Sequence, residues 1–212
     1  MPVTLNELTI ADSPQAWRDC GFAVRDGGFA LDEIGIRLDP EATGRGIAGW
    51  TLRGAESLDL DGLPTAHSDR PPPAEAPEHP NGVASLDHVV AISPDLDRTV
   101  AALVAAGLDL RRIREEPTPA GAPRQAFFRL GGAILEVVQE PQEATERAGG
   151  DRPAFFWGLA FNAPDLDATV AFLGERAGEA RAAVQPGRRI ATLRRSAGLS
   201  LPVALMTPPP RR

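Results

Sequence analysis

The strongest constraint on this chain is an internal repeat. Pro94-Asp95-Leu96-Asp97 returns as Pro164-Asp165-Leu166-Asp167, Thr99-Val100-Ala101 as Thr169-Val170-Ala171, and Leu103 as Leu173, all at one offset of 70 residues (164 minus 94). A repeat at fixed offset signals a repeated supersecondary unit. An apolar run precedes each copy: Leu86 to Ile92 in the first, Phe156 to Phe161 in the second. The first run is apolar on both faces, as in a strand covered on both sides. Ser93-Pro94 then supplies a capping residue and a first-turn proline for a helix. Leu96, Val100, Leu103 and Val104 share one helical stripe, and Leu166, Val170 and Leu173 repeat its spacing. One strand position is not repeated: His88 has Gly158 as its counterpart.

The remainder of each copy reads as three more strands. Leu108 to Arg114 is one. Gln125 to Leu130 and Ala133 to Gln139 form a hairpin around Gly131-Gly132, which is no phosphate loop because no helix follows it. In the second copy Pro186-Gly187 makes a turn before strands at Ile190 to Leu193 and Val203 to Met206. The N-terminus follows the same order loosely. A strand at Val3 to Ile10 leads to a helix opened by Ser13-Pro14 and stopped at Gly21; strands follow at Phe22 to Arg25, Phe29 to Leu38 and Gly46 to Leu52, with a turn at Asp26-Gly27.

The predicted class is α+β, with paired βαβββ modules. Residues 1–54 form an N-terminal βαβββ-like module. Residues 55–83 form a Pro-rich linker, part extended and part mobile, that buries little. Residues 84–208 form a domain of two modules, 84–141 and 154–208. One module alone exposes an apolar sheet face and needs a partner. The two C-terminal modules pair with each other. The N-terminal module then pairs with its copy in a homodimer, which is the expectation, or docks on its own chain's sheet edge.

Composition removes several chemistries. The net charge of −7 argues against a nucleic-acid partner, which needs a basic face. All 22 positive residues are arginine and there is no tyrosine, so a lysine Schiff base, a lysine base and a phenolic acid are excluded. Cys20, the only cysteine, cannot form an intramolecular disulfide and reads as a packed thiol. The start lacks the basic and apolar regions of a signal peptide. No apolar run approaches the ~18 residues of a membrane helix, so a cytoplasmic location without a membrane partner is expected.

Asp87-His88-Val89-Val90 in the first strand, Pro94-Asp95-Leu96-Asp97 at the helix start and Ile134-Leu135-Glu136-Val137-Val138 in the last strand carry a resemblance. The chain resembles the vicinal oxygen chelate superfamily: glyoxalase I, extradiol dioxygenases, epimerases, and bleomycin- or fosfomycin-resistance proteins. The likeness covers residues 84 to 208 well and 3 to 54 loosely. It implies a cleft for a small-molecule ligand. In metal-dependent members each module gives one ligand from its first strand and one from its last, around a divalent metal such as Zn, Ni, Fe or Mn. Here His88 and Glu136 take those places in one module. The other module offers Gly158, and Val203, Ala204 or Met206 according to where a gap is placed; none is a good ligand. The implied metal site is therefore half complete. Glu7, in the N-terminal strand, is a further candidate ligand, although anchoring on Ser13-Pro14 puts Leu8 there instead.

Without a metal, His88 and Glu136 read as an acid–base pair or as a buried polar pair that satisfies itself, and both readings stay open. Arg188 and Arg194 share a strand face where they would attract a carboxylate or phosphate, or remain surface arginines. Phe127, Phe128, Phe155, Phe156 and Trp157 are mostly core, with Phe128 and Trp157 as candidate pocket walls. His67 and His79 fall in the linker and read as solvated. The expected function is a glyoxalase-like protein binding a small organic molecule. The alternative is a metal-dependent or His/Glu acid–base enzyme of lyase, isomerase or dioxygenase type.

Overall fold

The computed structural model describes residues 2–73, 76–118 and 121–209. The C-terminal repeat forms β6 (Ser85–Ser93), α2 (Leu96–Ala105), β7 (Asp109–Arg114), β8 (Gln125–Leu130) and β9 (Ala133–Gln139). A short helix α3 (Gln142–Arg147) leads to β10 (Phe155–Asn162), α4 (Leu166–Leu173), β11 (Arg181–Ala182), β12 (Arg189–Thr192) and β13 (Val203–Met206). These strands make one eight-stranded sheet in the order β11-β12-β13-β10-β6-β9-β8-β7. Within each module the first and last strands are parallel, and β6 and β10 meet antiparallel at the centre.

The central register carries the repeat into space. His88 faces Ala160, and Val90 faces Gly158. The 70-residue offset exchanges these two pairs, so the Val89–Leu159 pair lies on the pseudo-twofold axis. Irregularities repeat as well. The pairing skips Asp87 on β6 and Trp157 on β10, which are counterparts under the same offset. Each is the extra residue of a β-bulge, where a side chain is re-aimed out of strict alternation.

Both long helices start two residues beyond the expected proline, at Leu96 and Leu166. Asp95 caps α2 by accepting from the Arg98 N–H at 3.0 Å, and Asp165 caps α4 by accepting from Ala168 at 3.0 Å. An aspartate side chain reaches the third helical N–H, so it takes the cap from Ser93. The buried stripe of α2 is Leu96, Thr99 and Leu103, whereas Val104 is exposed. Thr99 replaces it because its hydroxyl bonds Ser93 and Asp61.

The N-terminal region differs from a four-stranded module. It forms β1 (Thr4–Ile10), α1 (Pro14–Asp19), β2 (Gly28–Leu31), β3 (Ile34–Leu38), β4 (Ile47–Arg53) and β5 (Thr65–His67). The sheet order is β2-β3-β1-β4-β5. Here β1 is parallel to β3 and antiparallel to β4, and β4 is parallel to β5. That is the centre of the larger sheet in miniature: two antiparallel strands, each flanked by a parallel partner. Residues 47–67 therefore stand where a second module would. Phe22 to Arg25 gives only an Arg25–Gly28 bridge, because the Ala23 N–H is taken by His79. Phe29 to Leu38 splits into a hairpin at Asp32, whose φ of 50° is left-handed.

The segment expected as a linker is largely built into the fold. Within 55–83 it supplies β5 and buries Leu60, Leu63, His79, Asn81 and Val83; residues 74–75 lie outside the described residues. Asp61 accepts from the Arg98 guanidinium at 2.8 Å, and its carbonyl accepts from the Ala154 N–H at 2.9 Å. Proline density marked this stretch as irregular, but a few apolar anchors suffice to bury it. His79, expected to be solvated, is buried and holds two backbone groups. Its Nδ1 accepts from the Ala23 N–H at 3.0 Å, which leaves Nε2 to donate to the Ala30 carbonyl at 3.1 Å.

One continuous apolar core joins both sheets. Trp17 and Phe22 pack on Phe161 with ring centroids 6.2 and 5.4 Å apart, and Trp50 packs on Phe156 at 4.9 Å. Asp12 accepts from the Trp17 indole at 3.1 Å and from the Ser200 N–H. The apolar face that motivated a homodimer is thus covered by the chain's own larger sheet, and by its face rather than its edge. Cys20 is buried in the same core, and burial raises its pKa, which suits a packed thiol. Among the described residues no helix is long and apolar enough to cross a membrane.

Two measurements check this packing. Phe161→Ala should cost about 3–5 kcal/mol, and both sheets should unfold in one transition; two separate transitions in calorimetry would contradict the shared core. His79 sets a pH dependence. Burial depresses its pKa below the ordinary 6.5, with the Ala30 bond opposing. Its contribution is complete above 6.5 and is lost as the pH falls through the depressed folded value. The unfolding midpoint of the wild type should therefore drop below pH 6.5 more steeply than that of His79→Asn.

Candidate functional site

The cleft of the larger sheet holds a cavity of about 300 Å³. His88 projects into it from β6 and Glu136 from the neighbouring parallel strand β9. His88 Nε2 lies 3.5 Å from Glu136 Oε2, and each side chain is 13% exposed. The structure thus brings together the two residues that the sequence singled out.

The bulge adds a third. Strict alternation would point Asp87 away from His88. As the extra residue of β6, Asp87 also lines the cavity, and its Oδ2 is 2.7 Å from His88 Nδ1. Arg188 closes the series. Its guanidinium donates to Asp87 Oδ1 at 2.7 Å, Asp87 Oδ2 at 3.3 Å and Asn162 Oδ1 at 3.0 Å, and its Nε donates to the Thr207 carbonyl at 2.7 Å. At the other end the Gln125 amide donates to Glu136 Oε1. The line runs Arg188, Asp87, His88, Glu136, Gln125.

Protonation follows from these partners. Burial alone would raise the Asp87 pKa, but the bonds from His88 and Arg188 together outweigh it and hold the carboxyl below its ordinary 3.8. Asp87 is therefore an acceptor, and His88 Nδ1 carries the hydrogen it receives. In the neutral ring Nε2 then bears a lone pair facing a carboxylate oxygen. A proton shared between that nitrogen and Glu136 Oε2 would relieve the contact between two acceptors. Burial raises the Glu136 pKa from 4.5, against the opposing effects of His88 and Gln125. The pair is arranged to share a proton, and Asp87 sets the orientation of the imidazole.

A four-ligand metal site does not fit these residues. Glu136 pairs with Val90, and Ala204 pairs with Ala160. The repeat equates Val90 with Ala160, so among the three alternatives Ala204 is the counterpart of Glu136. Neither Gly158 nor Ala204 has a donor atom in its side chain. A Cβ on Gly158 would stand 2.6 Å from the Pro202 carbonyl oxygen, so that place is closed to any side chain. Glu7 belongs to the smaller sheet, 3.6 Å from Arg37, and does not line the cleft. Among the described residues no group of three or more His, Cys, Asp or Glu side chains is arranged for a metal.

Other candidates are redistributed. Arg188 lines the cavity, but its guanidinium is occupied. Arg194 is exposed, precedes a short 3-10 turn and does not line the cavity. Phe128 is fully buried in the core, and Phe127 lines the cavity in its place. Counting outward from the Gly131-Gly132 turn pairs Phe127 with Glu136, so the correct face was available from the sequence. Trp157, the bulge residue of β10, is 47% exposed and outside the cavity lining. Sequence reasoning missed Asp87, Gln125 and Arg129. Gln125 and Arg129 had the same alternation signal as Phe127; Asp87 had none, because a bulge leaves no mark in a strand this apolar.

Paired βαβββ modules around a cleft, with His and Glu on the first and last strands of one module, define a class of fold and site. The family model of the Glyoxalase/Bleomycin resistance protein/Dioxygenase superfamily matches residues 85–199, more than half of the chain. The chain belongs to that superfamily. No curated protein matches the sequence. Among solved structures, a xylose isomerase-like TIM barrel/4-hydroxyphenylpyruvate dioxygenase fusion protein superposes with a TM-score of 0.61 at 12% identity, over 99% of this chain and 49% of that one. Methylmalonyl-CoA epimerase from Mycobacterium tuberculosis gives 0.48 at 21% identity, over 61% of this chain and 91% of its own. At these identities the likeness is one of fold. The first superposition takes in the smaller sheet as well as the larger.

The raised Glu136 pKa has a consequence for stability. Ionised Glu136 is disfavoured by burial, so it lowers stability as pH rises above 4.5. Glu136→Gln should raise the unfolding midpoint at pH 7, and the gain should vanish toward pH 4, where both side chains are neutral. A lower midpoint at pH 7 would mean that pairing with His88 outweighs burial.

Proposed function

We propose that this chain binds a small organic molecule in the cleft over His88 and Glu136, without a resident four-ligand metal. The observation that carries the proposal is the asymmetry of the cleft. One module presents a His–Glu dyad to a cavity of about 300 Å³, within the size of small-molecule sites. The other presents Gly158 and Ala204. A ligand there meets a proton donor–acceptor pair rather than a metal.

The shared proton favours a second reading, an acid–base enzyme of isomerase or lyase type acting on a small oxygenated substrate. A carboxyl raised by burial beside an oriented imidazole is the arrangement general acid–base catalysis uses. A dioxygenase-type reaction has no such support from these residues.

A thermal-shift screen of small hydroxy and keto compounds separates the outcomes. A ligand at a hundredfold excess over its Kd should stabilise the wild type by about 2.7 kcal/mol, and His88→Ala should lose the effect. Added zinc, nickel, iron or manganese should leave the midpoint unchanged. A metal-induced rise that depends on His88 would overturn the metal-free reading. For a bound compound, deuterium uptake from heavy water at the carbon beside its carbonyl, lost in Glu136→Gln, would establish the enzyme reading.

A further inference from the structure

Resting on the cleft as a binding site, we infer that its ligand is a small monoanionic organic acid whose carboxylate is held by Arg129. Two arginines line the cavity, and they differ in what they hold. Arg188 is 9% exposed at its side chain and bound to Asp87, Asn162 and Thr207. Arg129 is exposed, and it makes no ion pair or side-chain hydrogen bond among the described residues. Register places Asp109 opposite Arg129 on the edge strand β7, but Asp109 is bound by Arg111 at 3.1 Å. A guanidinium facing a cavity with its donors open is a carboxylate receptor.

Charge points the same way. Asp87 and Arg188 cancel. Arg129 is then the one guanidinium of the cavity lining without a carboxylate partner among the described residues, in a chain whose net charge is −7. A carboxylate ligand supplies that partner; a neutral ligand does not.

Register also sets the ligand's shape. Arg129, Ile134 and His88 lie in one row across β8, β9 and β6. Two strand spacings separate the Arg129 and His88 backbones, roughly 9–10 Å. Both side chains reach into the gap, and Ile134 floors it. Phe127, next to Arg129 on the same face, walls it. An acid whose carboxylate meets Arg129 therefore lays a short apolar body on Ile134. The end of that body remote from the carboxylate comes over the dyad.

The test uses the full chain and matched probes: hexanoate and 2-hydroxyhexanoate against hexanamide and 2-hydroxyhexanamide, at one ionic strength. The acids should bind at least tenfold more tightly than the amides by calorimetry. Arg129→Gln should erase that preference while leaving the unliganded midpoint unchanged, and Arg129→Lys should restore part of it. Equal binding of acids and amides, or an acid preference that survives in Arg129→Gln, would overturn the assignment while the cleft stands as a binding site. If neither series binds but a neutral compound binds in a His88-dependent way, the carboxylate assignment again falls alone. If no compound of any class binds with dependence on His88, both readings fall.

Discussion

Everything in this molecule hangs on the antiparallel pairing of β6 with β10. That pairing puts the pseudo-twofold axis through Val89 and Leu159 and joins two modules that could not each cover a sheet face alone. It also decides which residues meet. His88 and Glu136 enter the cleft because β6 and β9 are parallel neighbours on one side of the axis. On its opposite face the same strand pair carries Phe156 and Phe161, against which the smaller sheet packs. One ladder thus sets the site on one side and the core on the other.

The symmetry of the backbone makes the asymmetry of the chemistry informative. Both modules keep the strand order, the aspartate cap and the bulge. In one, the bulge residue is Asp87, partly buried and paired to Arg188; in the other it is Trp157, half exposed. In one, the first strand presents His88; in the other, Gly158 lies so close to the Pro202 carbonyl that no side chain fits. On one side the backbone stands where a side chain would be; on the other, Asp87, itself held by Arg188, orients His88 beside Glu136.

Much of the larger sheet was legible because a repeat at fixed offset encodes both the units and their mutual register. His88 stood out as the strand position that the repeat does not return, and Glu136 came from the resemblance to the superfamily. The smaller sheet was harder. Phe22 to Arg25 has strand-like residues, but its N–H at Ala23 goes to His79, more than fifty positions away in the chain. The 55–83 segment misled because composition reports the average residue, while Leu60, Leu63 and Asp61 do the packing. Asp87 was invisible for a different reason. A one-residue slip in pairing changes the face of a side chain, and nothing in Leu86-Asp87-His88 announces the slip. Phe127, by contrast, followed from counting along the hairpin.

The most direct test of the site is the tautomer of neutral His88, read from the nitrogen chemical shifts of its imidazole. The account predicts that Nδ1 carries the hydrogen, bonded to Asp87, and that Nε2 carries the lone pair toward Glu136. Asp87→Asn should remove this preference. A neutral ring protonated at Nε2, or an Nε2 signal that shifts on addition of metal, would contradict it.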